Sequence, residues 1–169
     1  MKTAGILLAI VVTLALQTTL AHFFVGGNVA IDLLLVVVVY AALTSGPVTG
    51  MLSGAAAGLA QDALGIGVIG IGGLVKTVVG FLAGVIGTQL IVARPIPRFV
   101  VFFGATVLHA LIFMGLYTLL DVRQFGTPYA AVTGQATANA VVGVVAFQLV
   151  ERLPGAVARR RAQKARIHR

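Results

Sequence analysis

The chain has 169 residues, 59% of them hydrophobic and 9% charged, with a formal net charge of +8. No water-soluble domain of that length has interior enough to hide so much apolar surface, whereas a hydrocarbon core of about 30 Å calls for helices of about 20 apolar residues. With no cysteine there is neither a disulfide framework nor a thiolate metal site, and the basic excess does not describe a nucleic-acid groove, because seven of the twelve Lys and Arg residues lie beyond the last apolar stretch, from Arg152 onward.

In chain order the punctuation divides the sequence into six spans. The first covers about residues 4–24 and ends at Gly26-Gly27-Asn28, a turn-forming cluster. Lys2 supplies the basic start of a signal peptide, but the apolar run is long for one and the site around Ala21 is a poor cleavage match, so the segment is read as a retained helix. A second span, about 31–44, and a third, about 48–64, are separated by Gly46-Pro47, a pair that favours a turn over a continuous helix. The Gly-rich segment 65–73 leads into a fourth span, about 74–92, and Arg94-Pro95-Ile96-Pro97-Arg98 reads as a loop. The fifth span covers about 99–120, a loop takes 121–128, and the sixth covers about 129–150.

These spans read as helices. Membrane strands alternate apolar and polar residues over about ten positions, whereas residues 33–39 are apolar on every side. The expected fold is therefore an all-α integral membrane protein, a compact bundle of six transmembrane helices over residues 1–151, followed by a basic cytoplasmic tail, 152–169. Six spans put both termini on one side together with Lys2, Arg94, Arg98 and the tail, leaving Lys76 and Arg123 opposite, so the positive-inside rule favours both ends in the cytoplasm. Five spans would put the tail or the N-terminus outside, and a basic tail outside is the costlier assignment.

Along the third span Gly46, Gly50, Gly54 and Gly58 recur every four residues, and the same step next lands on Asp62. Lipid offers no hydrophobic drive between helices, so association relies on small residues that let backbones approach. Gly80, Gly84 and Gly87 in the fourth span, and Gly134 with Ala138 in the sixth, extend the pattern. Such stripes serve packing within the bundle, docking of another protein's helix, or self-association, and the sequence leaves these open.

Ionisable groups inside apolar spans are costly unless paired or solvated, which makes Asp62, Lys76 and His109 the functional pointers. Asp62 and Lys76 can pair across their connecting loop; alternatively Lys76 snorkels to the interface and Asp62 is solvated. His109 is expected to bond a backbone carbonyl or a polar neighbour such as Gln135 or Asn139, rather than to relay protons. Asp32 either caps the second helix or joins Asp62 in an outward-facing polar cluster. In the tail, Arg159, Arg160, Arg161, Lys164 and Arg166 form a basic segment suited to anionic lipid.

Enzymatic equipment is sparse. There is no His-Glu-x-x-His, no Gly-x-Ser-x-Gly, two serines and four acidic residues in all. Gly65-Ile66-Gly67-Val68-Ile69-Gly70 spells GxGxxG, but a membrane span precedes it and no acidic residue follows until Asp121. No catalytic residue, cofactor or metal is expected.

The run Ile31-Asp32-Leu33-Leu34-Leu35, the Val-rich stretch after it, Tyr40-Ala41-Ala42-Leu43, Gly46-Pro47, Gly50-x-x-x-Gly54-x-x-x-Gly58-Leu59-x-Gln61-Asp62, Gly70 and Leu74 together resemble the MreD family of rod shape-determining proteins. Ile31 stands where the family commonly has Pro, and Gly72-Gly73 replaces a bulkier pair. The resemblance implies a non-enzymatic subunit of the bacterial cell-elongation machinery that binds MreC, works alongside the MreB filament, RodA and a class B penicillin-binding protein, and helps direct lateral peptidoglycan synthesis. It also implies a fold similar to the substrate-binding subunits of energy-coupling-factor vitamin importers, which supplies an alternative function. Those subunits often carry Ala-x-x-x-Ala in the first helix, and here Ala4, Ala9, Ala15 and Ala21 have no Ala four residues on.

Overall fold

The computed structural model describes residues 2–23, 31–65, 67–89, 94–122 and 129–167, with side chains for 4–19, 31–65, 67–89, 94–122 and 129–152. These residues form six helices: α1 (Lys2–Phe23), α2 (Leu33–Ser45), α3 (Pro47–Leu64), α4 (Ile71–Gln89), α5 (Pro95–Leu119) and α6 (Tyr129–Ile167). Three of them contain stretches long and apolar enough to cross a membrane, Ile71–Gln89, Pro95–Leu119 and Tyr129–Arg152. Ala4–Thr19 and Leu33–Ser45 are apolar but shorter.

The central element is α2. Its thirteen residues carry Leu and Val on all sides, and Leu34, Leu35, Val38, Val39, Ala41 and Ala42 are almost wholly enclosed, the pattern expected of a helix surrounded by others. The other five helices all touch it. Around it α1 packs on α3, α3 on α4, α4 on α5 and α5 on α6, whereas among the described residues no Cα of α1 lies within 8 Å of one in α6. The ring is thus open on one side. Outward faces such as Leu52, Leu59, Leu74, Phe81, Val100, Leu111 and Val141 are exposed and apolar, as suits contact with lipid.

Local chemistry sets the helix ends. Asp32 is the N-cap of α2, its side chain accepting from the Leu35 backbone N–H. Gly46, at φ +91°, turns the chain from α2 into α3, whose first residue is Pro47. Arg94 to Arg98 is not wholly a loop, because Pro95 and Pro97 lie in the first turn of α5, where backbone N–H groups have no intrahelical partner and proline is tolerated. Likewise Gly72 and Gly73 belong to α4 instead of the preceding loop. The sixth helix does not stop near residue 150, for its backbone stays helical to Ile167 through the basic segment.

Candidate functional site

Glycine determines how α3 and α4 meet. A Cβ placed on Gly50 would strike the Gly80 carbonyl, one on Gly54 the Lys76 carbonyl, one on Gly58 the backbone of Gly72, and one on Gly84 the backbone of Pro47. The two stripes therefore face one another, backbone against backbone. Gly72 also makes room for a carboxylate, since a Cβ there would collide with Asp62 Oδ1, and Asp62 Oδ2 accepts from the backbone N–H groups of Gly70 at 2.9 Å and Gly73 at 3.1 Å. Asp62 thus caps α4 from the end of α3, satisfying N–H groups of its first turn with a negative charge at the positive pole of the helix.

That seam carries Lys76 into the middle of the protein. Its Nζ lies 2.8 Å from Asp32 Oδ2 and 3.3 Å from His109 Nε2, and its side chain is 3% exposed. Since an ammonium only donates, Nε2 accepts and the imidazole proton sits on Nδ1. The Asp32 backbone N–H donates to Asn139 Oδ1 at 3.0 Å, Asn139 Nδ2 donates to Thr106 Oγ1 at 3.2 Å, and Thr106 donates to the Phe102 carbonyl at 2.9 Å. One hydrogen-bonded chain thereby joins α2, α4, α5 and α6. The His109 ring stacks on Phe113, which in turn tilts against Tyr117, while the Tyr117 hydroxyl accepts from the Val68 N–H at 3.1 Å.

A second ion pair closes the end of the bundle that holds both termini. Arg98 bonds both carboxylate oxygens of Glu151, at 2.8 and 2.7 Å, and its guanidinium lies 3.9 Å from the centre of the Phe147 ring. Phe147 meets Tyr40 edge-on at 4.9 Å. The Arg98 side chain is 5% exposed and that of Glu151 52%, so the pair straddles the rim.

Several expectations are corrected by this geometry. Lys76 pairs with Asp32, not Asp62, and it is enclosed instead of snorkelling, because the glycine seam draws its backbone against Gly54. Asp32 is buried and stands apart from Asp62, so the two make no outward-facing cluster. His109 bonds Lys76 in place of Gln135 or Asn139; Asn139 serves Asp32 and Thr106, and Gln135 is half-buried one turn before it on α6. Of the readings left open for the glycine stripe, packing within the bundle is the one found: Gly50, Gly54, Gly58, Gly80 and Gly84 are taken up by contacts of α3 and α4, and Gly46 forms the turn between α2 and α3. The side chains of Arg159, Arg160, Arg161, Lys164 and Arg166 lie outside those described. Thr106 and the Arg98–Glu151 pair escaped the sequence reading, although opposite charges beside two span ends on the same side were a signal for the latter.

Among the described residues no cluster of three or more His, Cys, Asp or Glu side chains is placed to hold a metal. Asp32, Lys76, His109, Thr106 and Asn139 are bonded to each other and tie four helices together, whereas among the described residues the buried Gln61 Oε1 has no hydrogen-bond partner. No curated protein and no solved structure matches the chain. The family model of the rod shape-determining protein MreD matches residues 2–153, nearly the whole length. An all-helical chain whose Asp32 and glycine seam organise a membrane-suited bundle thus belongs to the MreD family, which acts in rod shape determination.

Proposed function

We propose that this protein is a non-enzymatic subunit of the cell-elongation complex in the bacterial plasma membrane, crossing it six times with both termini in the cytoplasm, binding MreC and helping direct lateral peptidoglycan synthesis. The family match over residues 2–153 carries the reading. The interior supports it as well: Asp32, Lys76, His109, Thr106 and Asn139 are bonded to each other, which leaves the outer faces of the helices as the surface through which neighbours are met. Contact with MreB, RodA and a class B penicillin-binding protein is then indirect, through MreC and the cytoplasmic end.

Depletion in a rod-shaped host should round the cells, and a tagged copy should copurify MreC from solubilised membranes. Vitamin auxotrophy without rounding, or a purified chain that never retains MreC, would overturn the proposal, the first result in favour of an importer subunit.

A further inference from the structure

Between α1 and α2 lies a groove of about 280 Å³, lined by Gly5, Ile6 and Ala9 of α1 and by Val37, Tyr40, Ala41 and Thr44 of α2. The α2 residues recur at i, i+3, i+4 and i+7, so they form one face. Tyr40 also touches Phe147 of α6, which sets that helix beside the groove. Toward the opposite surface the groove is shut: Ile10 and Leu14 of α1 pack with Leu34, Val38 and Ala57, and Gln17 Oε1 accepts from the Leu34 N–H at 3.3 Å. What remains is a wedge confined to the leaflet that holds both chain ends.

Its dimensions and flanks favour one occupant. Residues 37–44 rise about 10 Å along α2, which fits within one leaflet, roughly half of a 30 Å core. A partner's transmembrane helix needs a track across the whole core, and an acyl chain does not. The helices on either side carry basic sequence at the matching end: α1 opens on Lys2, and α6 passes from Phe147 to an exposed Arg152 and on into Arg159, Arg160 and Arg161. Basic residues near a membrane surface enrich anionic lipid. We propose that the groove holds an acyl chain of an anionic phospholipid, with its headgroup at the level of Thr44 and Arg152. Naming that leaflet cytoplasmic rests on the orientation proposed above; the site itself does not.

The chain has no tryptophan, so Tyr40→Trp gives a single fluorescent reporter in the groove and Phe81→Trp one on the exposed face of α4. Each full-length variant is reconstituted into phosphatidylcholine vesicles containing a minor share of phosphatidylglycerol, with brominated chains on one lipid class at a time. Per mole of labelled lipid, phosphatidylglycerol should quench Tyr40→Trp about fivefold more effectively than phosphatidylcholine, the weight of one basic residue near the surface. Phe81→Trp should show no preference, and adding Ala9→Phe to fill the groove should erase the preference at Tyr40→Trp. Thr44→Trp, at the exposed mouth, repeats the measurement without disturbing the Tyr40–Phe147 contact. Equal quenching by both lipids at every position would sink the proposal. So would a Tyr40→Trp that no labelled lipid reaches, which would place a second copy of the chain in the groove. Label in both leaflets makes the result independent of orientation, and MreC plays no part in it.

Discussion

At the scale of single residues the decisive group is Lys76. Its charge is balanced by Asp32, and its second bond, to His109, ties α4 to α5. Removing one partner of a buried pair costs more than removing both, because the survivor is left charged with nothing to neutralise it. Lys76→Met should therefore lower stability by about 3–5 kcal/mol. The double variant Asp32→Asn with Lys76→Met should recover most of the loss, since asparagine keeps the cap on Leu35. Unfolding of the purified variants in mixed micelles measures both. The sequence marked Asp62, Lys76 and His109 as ionisable groups in apolar spans and Asp32 as a cap or a member of an outward-facing cluster, but could not pair Asp32 with Lys76, because partnership across 44 residues depends on helix order around α2 and not on spacing.

Among the helices, α3 and α4 form the tightest unit, and their glycines leave no room for a methyl group. Gly54→Ala drives a Cβ into the Lys76 carbonyl and should cost about 1–3 kcal/mol as the two helices part. Gly104→Ala is the control. Its Cβ meets nothing within 4 Å, so thermal melts should show no loss. Because the seam also positions Lys76, Gly54→Ala should loosen the centre as well, exposing the Lys76 amine to labelling reagents. The four-residue glycine repeat was plain in the sequence, as was its meaning for close approach, while the identity of the opposing surface was not. Repeats on two neighbouring spans match one another only once the hairpin sets their register. Helix limits proved less legible where Pro95, Pro97, Gly72 and Gly73 suggested loops, since a first helical turn accepts residues that an interior would reject.

For the molecule as a whole, the family motifs and apolar spans were readable because a membrane imposes a length and a backbone rule on every crossing. The central place of α2 was only half visible: its unbroken apolar character implied burial, but nothing in the sequence ordered five helices around it. The proposed topology is checked by a reporter fused after Arg169, which should be active only in the cytoplasm. Activity on the exterior alone would refute it. The depth of the central ion pair has a further result. His109 precedes the end of α5 at Leu119 by about 15 Å of helix, whereas Glu151 is half in solvent. Mobile electrolyte shields charges it can approach and leaves enclosed ones untouched. Raising sodium chloride should thus weaken the contribution of Arg98 and Glu151, seen as a shrinking penalty for Glu151→Gln, while the penalty for Lys76→Met stays constant: the core of the protein is electrically insulated from the ionic weather of the cell.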